Sequence, residues 1–228
     1  MRDAALYLKA TTPPRNVPIS RWRGDPRPET FVASTRALHA WIRLGLEWEP
    51  PARVSALEQV ISFEDLIRLR LIALFRSRGF RYKHVRDAED YVRQQFHIPQ
   101  PFVTERFWVA GDILVAFEDR LISVSPHREL QTAFVELADF FTPIEHGLSF
   151  DDDGIADLWR PYRGVLIDPE IQFGSPCIEG TRVETEPLWA FHKAGDSIES
   201  IAEMYGLNID RVRAALEWEQ RIESAMAA

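Results

Sequence analysis

Arginine is the side chain with the most chemical reach in this sequence. Arg15, Arg21 and Arg23 fall in one short segment with Asn16 and Ser20, and Arg43 follows. A second basic stretch runs Arg76-Ser77-Arg78-Gly79-Phe80-Arg81-Tyr82-Lys83. A guanidinium is a planar fork of donors that fits phosphate or the O6 and N7 of guanine, and a carboxamide fits adenine. Such residues suit contact with a polyanion. The groups that catalysis needs do not converge. His39, His84, His97, His127, His146 and His192 are scattered, without the i, i+4 spacing of a metal-binding helix. Asp151-Asp152-Asp153 offers hard oxygen ligands but reads as a solvated connector. Cys177 is the only cysteine, so an intrachain disulfide and a cysteine-rich zinc site are excluded. It has no obvious base partner in the sequence, a pairing with His192 being left open. Ser175-Pro176 lacks the glycine flanks of a nucleophile elbow. The reading is a non-enzyme with no catalytic residue, no metal ligand and no cofactor.

The charge balance points to where a polyanion would sit. Residues 1–100 carry 17 Lys+Arg against 11 Asp+Glu, a balance of +6, whereas residues 101–228 carry 10 against 24, a balance of −14. Phosphate contact follows local potential rather than net charge, so the first half can face DNA and the second is repelled by it. With 228 residues, 46% hydrophobic and 27% charged, the chain has the composition of a soluble protein of two compact domains. They are expected at 1–145 and 146–228. No run of about 20 apolar residues and no secretory layout at the N-terminus is evident, so a cytoplasmic location is expected.

Helices are expected where apolar residues recur at helical spacing. Asp3-Ala4-Ala5-Leu6-Tyr7-Leu8, followed by Val17-Pro18-Ile19-Ser20-Arg21-Trp22, has the cadence of a helix-turn-helix. Ser62 can cap a helix in which Phe63, Leu66, Ile67, Leu71, Leu74 and Phe75 make one buried stripe ending at Gly79. Val85, Ala88, Tyr91, Val92 and Phe96 mark another, stopped by Pro99-Gln100-Pro101. Phe107-Trp108-Val109 and Ile113–Phe117 read as strands about a Gly111-Asp112 turn. Leu130, Phe134, Leu137 and Phe141 predict a helix from about His127 to Phe141. Three compact helices are expected at Thr185–Ala194, Ser197–Tyr205 and Ile209 to about Ala225, with Leu188, Ile198, Ile201, Leu207, Val212 and Leu216 as their core.

The most specific run spans Asp168-Pro169, then Gly174-Ser175-Pro176, then Ile178-Glu179-Gly180-Thr181-Arg182-Val183. Gly174 and Gly180 permit positive φ, and Pro169 and Pro176 fix φ, so a rigid arm is expected. With Gly195, Ser197-Ile198, Ile201-Ala202, Tyr205, Val212 and Ala215-Leu216 downstream, residues 164–224 resemble a small domain, once of unknown function, of bacterial VapB-type antitoxins. The N-terminal half resembles MerR-type regulators, with Trp41-Ile42-Arg43-Leu44 as a wing. The resemblance implies a mainly α fold: a MerR-like winged helix-turn-helix, then a homeodomain-like three-helix bundle with a short β arm.

By resemblance the function is that of an antitoxin and transcriptional regulator. It would bind double-stranded operator DNA as a homodimer and neutralise a PIN-like ribonuclease toxin, with no membrane partner. DNA contacts would come from Arg15, Asn16, Ser20, Arg21, Arg23, Arg43, Arg81 and Lys83. Arg182, Arg211 and Arg213 are a second set facing DNA or a protein, and which helix-turn-helix reads DNA stays open. Residues 196–228 hold seven acidic and three basic side chains, which favours a dimer or toxin contact for the last helices. Two rivals stand: a ligand-responsive MerR-like regulator, and a protein-binding module without DNA contact.

Overall fold

A computed structural model describes residues 2–11, 61–77, 82–98, 100–104, 107–109, 113–117, 120–123, 132–134, 142–143 and 147–227. These fall into two compact units. The second holds residues 147–227 with Lys9–Thr11, and the first holds the rest. Among the described residues there are six α-helices and nine strands in two antiparallel sheets, so the fold is mixed rather than mainly helical. The expectation of a mainly α chain failed because eight of the nine described strands have only two to five residues and leave almost no period-2 pattern to read.

Helix α1 (Arg2–Thr11) buries Ala4, Ala5 and Leu8, in the part that belongs to the first unit. Helix α2 (Phe63–Ser77) starts as its cap requires, with Ser62 Oγ accepting the Asp65 N–H at 3.0 Å. Burial does not follow a single stripe: Leu66, Ile67 and every residue from 69 to 75 are buried, while Phe63 is half-buried. Neighbours on more than one side explain this. Helix α3 (Tyr82–Phe96) packs on it, and a 3-10 turn at Pro101–Val103 brings Phe102 to 5.9 Å from Phe75 between ring centroids.

Helix α3 buries Val85, Ala88 and Val92 as its period demands, and Glu89 on the same face. Arg68 of α2 answers it. Its Nη2 donates to Glu89 Oε2 at 2.8 Å and its Nε lies 2.8 Å from Oε1, while Arg93 Nη2 approaches at 3.3 Å. Burial still pushes the Glu89 carboxyl above its ordinary value, Arg68 opposing the shift.

Strands β1 (Phe107–Val109), β2 (Ile113–Phe117), β3 (Arg120–Ser123), β4 (Thr132–Phe134) and β5 (Thr142–Pro143) follow, in the spatial order β4-β3-β2-β1-β5. Val109 faces Ile113, so the two expected strands form a hairpin. The helix expected over 127–141 is overturned, because Thr132–Phe134 is a strand whose register runs Ile122↔Thr132 and Arg120↔Phe134. Pairing with β3 outweighs a helical spacing that four apolar residues only imitate.

The second unit opens with a sheet of β6 (Leu148–Phe150), β7 (Ala156–Tyr162), β8 (Val165–Ile167) and β9 (Cys177–Ile178) in sequential order. The acidic run is not an interdomain connector but the β6–β7 turn. Asp151 Oδ1 accepts the N–H groups of Asp153 (3.0 Å) and Ile155 (2.9 Å), an aspartate turn that ties the loop to itself. Gly147 has φ +80°, and a Cβ there would collide with the Arg160 carbonyl oxygen.

Helices α4 (Thr185–Ala194), α5 (Ile198–Tyr205) and α6 (Ile209–Ala227) follow at the expected places. Ser197 caps α5 through the Ser200 N–H, Asn208 caps α6 through the Arg211 N–H, and Gly195 and Gly206 end their helices with left-handed φ. Their core joins Leu188, Ile201, Ala202, Val212, Ala215 and Leu216 to Ile178 of β9, with Ile198 and Leu207 half-buried at its edge.

Candidate functional site

Between β8 and β9 the chain makes a short, self-braced arm. Asp168 Oδ1 accepts the Glu170 N–H at 2.8 Å and its carbonyl accepts the Ile171 N–H at 3.0 Å. Gly174 N–H then donates to Ile171 O, and Ser175 N–H to Gln172 O, each at 3.0 Å. Three consecutive residues are left-handed: Gln172 (φ 47°), Phe173 (φ 54°) and Gly174 (φ 79°). Only the last has the freedom of glycine. Phe173 stands at the tip with a relative exposure of 103%, whereas Pro176, Cys177 and Ile178 at the base are buried.

The Ile178–Val183 turn explains why glycine and threonine follow one another. Gly180 has φ 75°, and Thr181 closes the turn by donating its hydroxyl to Ile178 O (2.8 Å) and accepting the Val183 N–H (3.1 Å). The Arg182 side chain is exposed, but its carbonyl accepts a bond from Gln172 Nε2 at 3.0 Å. That bond ties the arm to the turn. At the start of α4, Thr185 N–H and Oγ1 both reach the Pro176 carbonyl, at 2.9 and 3.3 Å, and Oγ1 also bonds the buried carboxyl of Glu219 on α6. Burial raises the Glu219 carboxyl above its ordinary value, against the lowering effect of the Thr185 bond.

A second feature lies at the β7–β8 turn. Arg163, Gly164, Asn208, Asp210, Arg211, Arg213 and Ala214 line an open cavity of about 350 Å³. Arg213 Nη1 lies 2.7 Å from Asp210 Oδ1, Arg163 Nη2 lies 2.6 Å from Glu217 Oε2, and Arg211 reaches over Gly180. Bonds from Tyr162 and then Arg163 hold the half-buried Glu217 carboxyl below its usual range. The three arginines thus converge, though with two carboxylates among them.

The expected site residues meet different outcomes. Arg211 and Arg213 come together at this cavity, and Arg182 is exposed on the turn that ties the arm. Lys83 is exposed on the first turn of α3. Arg15, Asn16, Ser20, Arg21, Arg23, Arg43 and Arg81 lie outside the described residues. Sequence reasoning missed Arg163 and Phe173. The signal for Arg163 was an Arg-Gly pair between apolar strands. For Phe173 it was an aromatic between two prolines, in phase with no core.

Cys177 is buried, and burial above all, then Glu184, pushes its thiol up to about 11, so it holds almost no thiolate at neutral pH. His192, its only suggested partner, is exposed, its Nδ1 lying 3.4 Å from the Asp196 carbonyl oxygen. Among the described residues no group of three or more His, Cys, Asp or Glu could hold a metal ion. Nor is any helix among them long and apolar enough to cross a membrane.

Comparison with known proteins bears on the arm and its helices. Residues 165–218 match the family described as a protein of unknown function, DUF433. Over 172 residues the chain is 24% identical to a Mycobacterium tuberculosis protein (strain ATCC 25618 / H37Rv) named as a candidate antitoxin, VapB45, covering 69% of this chain and 70% of that one. The fold is similar to the crystal structure of Rv2018 from Mycobacterium tuberculosis, with a TM-score of 0.55 at 20% identity, covering 79% of this chain and 90% of the other.

Proposed function

We propose that this chain is the antitoxin of a toxin–antitoxin pair, and that it represses the operon encoding both. The observation that carries the reading is the 172-residue similarity to the candidate antitoxin VapB45, which is longer than the whole second unit and therefore enlists the first as well. The protein partner is a PIN-like ribonuclease, docked on the acidic second unit. The DNA partner is the operator duplex, contacted by the basic first half through Arg15, Asn16, Ser20, Arg21, Arg23, Arg43, Arg81 and Lys83. The balance of +6 over residues 1–100 supports that division. A homodimer matches a two-fold operator. A second reading, in which the second unit also touches phosphate, is favoured by the convergence of Arg163, Arg211 and Arg213.

Gel shift of the full chain on the duplex upstream of its own reading frame tests the DNA role. Arg21→Ala should weaken binding and flatten the dependence of log affinity on log salt by about one unit. Arg211→Ala with Arg213→Ala should leave both unchanged, unless the second reading holds. The antitoxin role is tested by expressing the adjacent reading frame with and without this chain. Growth arrest relieved only by co-expression is the expected result. No arrest, or arrest that co-expression leaves in place, removes the antitoxin reading.

A further inference from the structure

Phe173 combines two costs that a folded chain ordinarily avoids. Its side chain is fully exposed, and its backbone is left-handed at φ 54° beside another left-handed residue, Gln172 at φ 47°. Neither cost serves the interior of the second unit. Yet the conformation is held: the Asp168, Ile171 and Gln172 carbonyls close successive turns beneath it, and Gln172 Nε2 anchors on the Arg182 carbonyl at 3.0 Å. An outlier that its surroundings enforce, at the tip of a projecting arm, is a mark of function. A rigid aromatic that loses little freedom on binding is the favoured anchor of protein interfaces.

The charge around the arm selects the partner. From Gly164 to Thr181 there is no Lys or Arg, while Asp168, Glu170 and Glu179 are present; the exposed Arg163 and Arg182 flank the run at its two ends. Residues 147–227 as a whole carry 7 Lys+Arg against 16 Asp+Glu, a balance of −9. Apart from the cluster of Arg163, Arg211 and Arg213, a balance of that sign works against duplex DNA, and a second copy of the chain brings a further net charge of −8. We infer that Phe173 is an anchor that enters an apolar pocket rimmed by basic side chains on a protein partner, with the exposed Glu170 of the same arm meeting the rim. The inference rests on the reading above, in which that partner is the toxin.

The probe is the purified product of the adjacent reading frame, titrated calorimetrically with the full chain. Phe173→Ala should weaken the complex at least about tenfold, and Phe173→Trp should keep most of the affinity. Glu170→Lys should weaken it more at low salt than at high. None of these changes should alter operator binding or the far-ultraviolet circular dichroism. Wild-type binding that Phe173→Ala leaves intact overturns the anchor while sparing the antitoxin reading. No binding by the wild type overturns both. If Phe173→Ala instead lowers the mass of the free chain in sedimentation, the occupant is a second copy, and loss of operator binding alone would mean DNA; either result overturns the proposal.

Discussion

A phenylalanine held in left-handed backbone costs roughly 1–2 kcal/mol relative to a residue without a Cβ. Phe173 carries that cost in the arm between β8 and β9. Phe173→Gly should therefore stabilise the chain by about 1 kcal/mol, the relief of strain outweighing the extra freedom that glycine gives the unfolded state. Thermal unfolding followed by circular dichroism checks this, and a lowered midpoint would mean that the ring supports the fold. The same change removes the proposed anchor, so stability and partner affinity should move in opposite directions. At this scale the sequence was partly legible. The positive φ of Gly174 and Gly180 could be expected, because glycines spaced by prolines have few other uses. The exposure of Phe173 was only hinted at, by an aromatic between Pro169 and Pro176 in phase with no core, since it depends on the absence of any surface to cover it.

Elements meet through a few buried polar contacts, and Thr185 with Glu219 joins the start of α4 to the middle of α6. Burial raises the Glu219 carboxyl, so the folded state holds that proton more tightly than the unfolded chain does. Stability from this group is full below the ordinary carboxylate value and is lost as pH climbs through the raised one. Glu219→Gln stays neutral at every pH. It should match the wild type near pH 4 and exceed it by on the order of 1 kcal/mol at pH 8. Urea melts at the two pH values check this, and an offset independent of pH would mean that the carboxyl is not disfavoured by burial.

Helices α4 to α6 were legible because Ser197, Asn208, Gly195 and Gly206 mark their ends in the sequence. The helix expected near residues 127–141 misled because it rested on the spacing of four apolar residues, and Thr132–Phe134 pairs with β3 instead. The acidic run misled in one respect: Asp151–Asp153 are exposed, as a solvated stretch should be, but they form the β6–β7 turn, tied by Asp151 Oδ1, instead of joining two domains.

At the scale of the whole molecule, residues 1–100 are net positive and residues 101–228 net negative, so the two halves of the sequence should respond to ions in opposite ways. If the first half clamps phosphates with its arginines, operator affinity should fall at least about a hundredfold between 50 and 200 mM salt. Fluorescence anisotropy across that range measures it, and a flat response would leave the basic residues without a nucleic-acid role. The charge split was readable from the sequence, whereas the mixed architecture was not. Short strands are defined by partners distant in sequence, and nothing local announces them.

The family match over residues 165–218 stops inside helix α6, which runs on to Ala227, and begins after β7, the neighbour of β8 in the sheet. A fragment cut at those limits would lose Ile222 and Ala225 from the buried side of the helix. It would also leave β8 as a raw edge, its unpaired backbone free to recruit other chains. The compact unit keeps all of residues 147–227 together with Lys9–Thr11, so an excision at the family limits should yield aggregate rather than a working module.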